Sequence, residues 1–318
     1  MSGDPSEKVL VTGASGFIGS AVTRYLQEHG YAVRLASRNP DRFKLPSAER
    51  ALMPSPEAEA GAWDRLVAGV DHVVHCAGIA DASANLRYDD YRVANVDLSI
   101  HLANAARRHV PGRFVFLSSI RAITGPTSPD VLTEHSPARP TDDYGHSKLE
   151  AEARLAEIFA DDSRHLAILR PVAVYGEGMR GGLASLVRLA RTPFPLPIGG
   201  ILARRSLLDV ERLAAAVFHV LSNPVAGGDY IVSDSSPLRL AEIVAAMRAG
   251  YGQNPRIFSL PEPLLAGLSR MAGRGAMWER LSGPLVVSPD RLAATGWDAA
   301  DDTPRRLAEY MTAQSPAA

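Results

Sequence analysis

The chain has 318 residues, with 34 Lys plus Arg against 35 Asp plus Glu, a formal net charge of −1 and a mean hydropathy of −0.05. That balance argues against a protein of nucleic acid or anionic membranes, because both need a concentrated basic surface. The single cysteine, Cys76, excludes an intrachain disulfide and points to a reducing, cytoplasmic compartment.

No run approaches the ~18 apolar residues of a membrane span. Met1–Glu7 lacks the basic and apolar regions of a signal peptide. Length over ~150 suggests roughly two domains.

Taken in chain order, the first half alternates short apolar runs with amphipathic stretches. Lys8–Thr12 reads as a strand ending at glycine. Phe17–Glu28 has helical spacing, and Ala32–Ser37 is again strand-like before Asn39-Pro40. Arg50–Met53 is a weak strand, Trp63–Val70 a short helix, and Asp71–Ala77 a strand closed by Gly78. Tyr88–His109 predicts a long helix, Arg113–Ser118 a strand, Tyr144–Phe159 a helix and His165–Arg170 a strand. Strands alternating with helices of this length imply βαβ units and a parallel sheet. In the second half Leu207–Leu221 reads as helical, Asp229–Ser233 as a strand, and Leu238–Gly250, Pro261–Met271 and Thr303–Met311 as helices. Met271–Trp278 reads as a loop, a substrate lid or core packing; the role of 261–283 stays open.

Between the first strand and first helix lies Thr12-Gly13-Ala14-Ser15-Gly16-Phe17-Ile18-Gly19. Gly13 permits the tight turn, Gly16 the approach of a pyrophosphate, and Gly19 close packing of helix on strand. Phosphates would sit on the free N–H groups of the helix start. NAD-binding proteins usually place Asp or Glu at the end of the second strand. This chain has Ser37-Arg38 there, and a guanidinium can pair with a 2′-phosphate. NADP(H) is therefore favoured, with NAD(H) possible.

Tyr144 and Lys148 are four residues apart and share a helix face. A tyrosine near an ammonium can serve as acid or base at a reacting hydroxyl or carbonyl. Ser119 follows a predicted strand, where its hydroxyl can hold the reacting oxygen. His72 and His75 have metal-like spacing, but three residues apart on a strand they point to opposite faces, so no metal site is expected. Cys76 reads as packing, His146 as facing away from the pair, and Arg204-Arg205 as a solvated pair or a phosphate site.

Together these residues make the chain resemble an extended short-chain dehydrogenase/reductase of the NAD-dependent epimerase/dehydratase group. The marks are Thr12–Gly19, His75–Gly78, Asn95 within YRVANVD, Phe114–Ile120, Tyr144–Lys148 and Leu169–Gly176. The stretches LSSI, DDYGHSKLEAEA and RRSLLDV resemble a subgroup linked to bacterial polysaccharide synthesis, described as UDP-glucose 4-epimerase-like or UDP-sugar 4-ketoreductase. The resemblance implies a Rossmann-like, doubly wound parallel sheet with a smaller, discontinuous α/β substrate domain. The expected division is 1–172 with about 203–234 for the cofactor, and about 173–202 with 235–318 for the substrate. It implies Tyr144 as acid/base, Ser119 as its partner and Lys148 as ribose ligand and tuner of Tyr144. Gly13, Ser15, Gly16, Phe17, Ile18, Gly19, Arg38, Ala77, Gly78, Asn95, Pro171 and Val172 would line the cofactor. Arg205 would reach the phosphates of a nucleotide sugar.

Some family marks differ. Met53-Pro54 ends the third strand where many relatives carry an acid, Gly181-Gly182 replaces an asparagine, and an Arg-Pro-Gly-Asp stretch is missing, with Arg280 and Ser282-Gly283 nearby. Ile120-Arg121 stands where 4,6-dehydratases carry Asp-Glu, which speaks against dehydration. The expected reaction is hydride transfer at C4 of a UDP-linked sugar, reduction of a 4-keto sugar being favoured over 4-epimerisation. Reduction of a non-sugar ketone and a non-catalytic NADP sensor rank below. A homodimer through Tyr88–His109 and Tyr144–Phe159 is the family habit.

Overall fold

The computed structural model describes residues 7–40, 48–80, 86–223, 227–271, 273 and 275–314. The Met1–Ser6 part of the N-terminal reading, Ala272 and Arg274 of the Met271–Trp278 reading, and the last four residues lie outside them.

The chain begins with β1 (Lys8–Thr12), α1 (Phe17–Glu28), β2 (Ala32–Ser37), β3 (Glu49–Leu52), α2 (Ala60–Val67) and β4 (His72–His75). A long helical segment follows: α3 (Tyr88–Tyr91), a π-helical stretch over Arg92–Asp97, and α4 (Leu98–His109). Then come β5 (Phe114–Leu117), a 3₁₀ turn over Ile120–Ala122, α5 (Asp143–Ile158) and β6 (Leu166–Pro171). The second half holds β7 (Ala173–Tyr175), α6 (Gly181–Ala190), β8 (Arg204–Arg205), β9 (Leu207–Asp209), α7 (Val210–Ser222) and β10 (Gly228–Val232). It closes with β11 (Leu238–Arg239), α8 (Leu240–Gly250), α9 (Glu262–Met271), α10 (Gly275–Ser282), α11 (Asp290–Ala293) and α12 (Thr303–Ala313).

Seven strands form one parallel sheet in the order β10-β6-β5-β4-β1-β2-β3. Every residue of β4, β5 and β6 is buried. A parallel sheet needs both faces covered, which explains these continuous apolar runs. One face packs on Val22 and Leu26 of α1 and Leu213 and Val217 of α7. The other packs on Leu66 of α2, Leu102 of α4 and Leu155 of α5. The order reverses between β1 and β4, and a doubly wound sheet opens its ligand crevice at that point.

A third core gathers Tyr175, Leu186, Leu207, Ile243, Met247, Leu307 and Met311 from the second half. Here the structure departs from the sequence reading. Leu207–Leu221 is not helical throughout: Leu207–Asp209 pairs in parallel with Ala173–Tyr175. The helix starts at Val210 because the Asp209 carboxylate accepts the Glu211 N–H at 2.7 Å. Leu238–Arg239 likewise pairs antiparallel with Arg204–Arg205 before α8 begins. Residues read as a possible loop after Met271 are helical from Gly275. No helix of the described residues is long and apolar enough to cross a membrane.

Candidate active site

The glycine loop joins β1 to α1 at the switch point. Gly13 has φ +65°, and a Cβ there would stand 2.7 Å from the Ala77 nitrogen. A Cβ on Gly19 would stand 2.2 Å from the Gly13 carbonyl oxygen. Both positions therefore exclude a side chain for reasons internal to the fold. Gly16 starts α1, and no side chain caps the helix. Its first N–H groups are thus left for an anion, as a dinucleotide pyrophosphate requires. A cavity of about 360 Å³ opens here, lined by Ser15, Gly16, Phe17, Arg24, Arg180 and Glu211 among others. Ile18 turns instead to the core. Arg38 is exposed beyond the end of β2, where the Ser37 hydroxyl accepts the Asn39 N–H at 3.0 Å. The residues present fit a dinucleotide.

A buried chain of hydrogen bonds ties this loop to α5. Thr12 Oγ1 lies 2.6 Å from His75 Nδ1, and His75 Nε2 lies 2.9 Å from Ser99 Oγ. Ser99 donates to the Asn95 carbonyl at 2.6 Å. Asn95 Nδ2 donates to Ser147 Oγ at 2.9 Å, and Ser147 donates to the Tyr144 carbonyl at 2.8 Å. Burial holds His75 neutral by pushing it down to about 3. Asn95 Oδ1 also accepts the Ile79 N–H at 2.8 Å, just beyond Gly78. Asn95 thus joins the loop after β4 to the first turns of α5. The π-helical stretch that carries it is a widened turn of the kind frequent at functional sites. His75, Ser99 and Ser147 were not among the expected site residues. Their side-chain partners are 24 to 63 positions away in the sequence, so spacing held no signal.

Ser119 caps the 3₁₀ turn, its Oγ accepting the Arg121 N–H at 3.1 Å. Tyr144 stands in the first turn of α5, which starts where the Asp142 carboxylate accepts the Gly145 N–H at 2.9 Å. Burial raises the phenol above its ordinary value; the hydrogen bond with Ser119 and the charge of Arg121 oppose that rise. The sheet and α5 therefore bring Ser119 and Tyr144 together. Lys148 is held against the sheet, close to Gly78. Its ammonium donates to the Leu117 carbonyl at 2.8 Å and lies 4.5 Å over the Phe116 ring. Burial lowers it to about 8. Arg121 is a cation whose charge favours the ionised phenol. His146 is exposed.

Pro171 and Val172 are buried where β6 ends. Cys76 is half-buried against the core, and burial pushes its thiol up to about 12, which fits packing. His72 Nδ1 accepts the Arg113 N–H at 2.8 Å.

A cleft of about 220 Å³ is lined by Arg180, Arg205 and Arg280 with apolar Leu183, Leu207 and Leu281, and two of these arginines, Arg205 and Arg280, lie near enough to Arg121 to feel its charge. Arg205 is no freely solvated residue. It donates to the Gly283 carbonyl at 2.5 Å and to the Pro126 carbonyl at 3.0 Å, and burial brings it down to about 10. Arg204 is exposed and donates to the Pro237 carbonyl. A larger concavity of about 780 Å³ lies between α8 and α12.

The sequence matches a known family. Residues 9–233 match the NAD dependent epimerase/dehydratase family. The chain belongs to that family. It is 29% identical to a UDP-glucose 4-epimerase of Vibrio cholerae over 92% of this chain and 90% of the relative. It is 31% identical to a 2′-dehydrokanamycin reductase of Streptomyces kanamyceticus over 80% of this chain and 69% of the relative. The fold matches a UDP-glucuronic acid 4-epimerase of Bacillus cereus solved with NAD, with a TM-score of 0.72, 16% identity and coverage of 96% of each chain. The protein is accordingly an NAD-dependent enzyme of the epimerase and reductase type.

Proposed function

We propose that the enzyme transfers hydride at C4 of a UDP-linked sugar, with NADPH reducing a 4-keto sugar as the favoured direction. The observation that carries this reading is the Ser119 hydroxyl set against the Tyr144 phenol, next to Arg121, whose charge also reaches Arg205 and Arg280 of the arginine-lined cleft. A bound nicotinamide supplies the hydride. Tyr144 delivers its phenolic proton to the ketone oxygen, and the Ser119 hydroxyl holds that oxygen in place. Lys148, close to Gly78, is placed to meet the cofactor ribose once a ligand hydroxyl competes with the Leu117 carbonyl. Arg205 and Arg280 supply the charge that a diphosphate needs. Arg38 supports NADP(H), since no carboxylate stands at its position to repel a 2′-phosphate. The cofactor loop and the later core would work as a large cofactor domain and a smaller substrate cap, in a cytoplasmic homodimer.

The alternative is 4-epimerisation, favoured by the length over which the chain resembles the Vibrio cholerae enzyme. Both readings use the same residues. Incubation with a panel of UDP-sugars and UDP-4-keto sugars separates them. Reduction consumes NADPH in step with product; epimerisation inverts C4 with no net consumption. Tighter binding of NADPH than NADH, lost in Arg38→Ala, is expected. Tighter NADH would refute the cofactor assignment.

A further inference from the structure

The 3₁₀ turn after β5 carries Arg121 two residues beyond Ser119. Its backbone N–H donates to the Ser119 hydroxyl oxygen at 3.1 Å. Its guanidinium pairs with the Asp142 carboxylate at 2.6 Å. The other oxygen of Asp142 caps the start of α5 through the Gly145 N–H at 2.9 Å. A Cβ on Gly145 would come 2.4 Å from the Arg121 carbonyl oxygen, so the first turn of the helix rests directly on the Arg121 backbone. One ion pair and one backbone contact thus join the serine loop to the tyrosine helix. The buried Nε of Arg121 has no hydrogen-bond partner among the described residues.

We propose that Arg121 and Asp142 are positioning residues that lock the Ser119 loop to the start of α5 and set a guanidinium beside the Tyr144 phenol. Arg121 takes over the electrostatic role the sequence suggested for Lys148. When Tyr144 gives up its proton, the nearby positive charge favours the phenolate that remains. Asp142 limits that effect and keeps the guanidinium from swinging toward the substrate anion. Arg280 and Arg205 stand close enough to act on Arg121 or to be acted on by it, so the bracket also lies between the reacting hydroxyls and the arginine cleft.

The groups that act on the Tyr144 phenol are Asp142 at the start of α5, Ser119 and Arg121 at the turn, and Tyr91 in α3. The Tyr91 ring centroid is 6.4 Å from that of Tyr144. Arg121 opposes, and Asp142 and Tyr91 add to, the upward effect of burial on the phenol.

The two partners therefore carry opposite electrostatic signs although they make the same bracket. The test uses the full chain with ring-¹³C-labelled tyrosine, the Tyr144 signal being assigned by its loss in Tyr144→Phe. Arg121→Gln is expected to move the Tyr144 titration up, and Asp142→Asn to move it down. Asparagine is itself a good N-cap, so the helix start survives that change. Arg121→Lys is expected to return the titration toward that of the parent. With a substrate found by the panel above, both neutral variants are expected to lower kcat by roughly 10- to 100-fold with KM near the parent value, as loss of alignment does. Shifts of the same sign in both variants, or none in Arg121→Gln, would overturn the electrostatic part. An unchanged kcat in both would overturn the positioning part. The kinetic arm rests on Tyr144 being the proton donor; the resonance arm needs no substrate. Activity retained in Tyr144→Phe would therefore sink the proposed function and leave the resonance result readable.

Discussion

Asp234 follows β10 and meets two elements of the later core. Its Oδ2 accepts the Thr303 hydroxyl at 2.7 Å at the start of α12 and the Tyr175 hydroxyl at 3.3 Å from β7. The residue is 2% exposed. Burial raises its carboxyl from 3.8 to about 6, and the Thr303 hydrogen bond and Arg212 only partly oppose this. The folded chain therefore holds a proton that the unfolded chain has already released between these two values. That contribution to stability is complete below the unfolded value and is lost as pH rises through about 6. At 1.36 kcal/mol per unit the whole effect is about 3 kcal/mol, of which about 1.4 kcal/mol falls between about pH 5 and about pH 8. Asp234→Asn removes the titration and keeps an oxygen for Thr303 and Tyr175. Urea unfolding of both proteins at the two pH values gives the difference directly. The variant is expected to gain about 1.4 kcal/mol on the parent between the acid and the alkaline measurement. Parallel pH dependence in the two proteins would refute the reasoning, because Asp234 would then be charged and well paired when folded.

Other expectations follow from the same buried groups. Lys148 loses its charge above about 8, so the affinity for an anionic dinucleotide is expected to weaken on raising pH through that value. In Lys148→Met that pH dependence should vanish; calorimetric titration of cofactor on both sides of the midpoint checks it. Cys76 stays a thiol until about 12, so iodoacetamide at mildly alkaline pH is expected to alkylate the folded protein far more slowly than the urea-unfolded chain. Equal rates, read by mass spectrometry, would mean that the thiol is open and activated. Glu152 is 4% exposed and pairs with Arg170 at 2.7 Å. Glu152→Ala is expected to cost about 3 kcal/mol or more in chemical denaturation by stranding that buried arginine. A loss below ~1 kcal/mol would mean Asp229 alone suffices for Arg170.

The sheet was legible because its central strands are buried on both faces and so read as apolar runs, Val9–Val11 and Phe114–Leu117 above all. The boundary at Leu207–Asp209 was hidden inside a longer apolar run. Asp209 is a good helix cap, and that signal marks the true start. α6 begins at Gly181-Gly182, glycines that argue against a helix until packing on the third core decides otherwise. In the site, Ser119 and Tyr144 were legible from order and spacing, and they do meet. The direction of Lys148 was not, because i and i+4 place two residues on one face without saying which acceptor a long side chain finds. Arg121 was noted for the acid it replaces, yet its partner Asp142 is 21 positions away and only the fold joins them. A net charge of −1 likewise hides a cleft with three arginines in its lining.

The most direct test of the central claim is a paired reaction of the parent and Tyr144→Phe with UDP-4-keto sugars and NADPH, following absorbance and the configuration at C4. The account predicts NADPH consumed in step with a single 4-hydroxy product by the parent, and a rate at least ~100-fold lower in the variant, as loss of a general acid requires. Equal rates in the two proteins would contradict it.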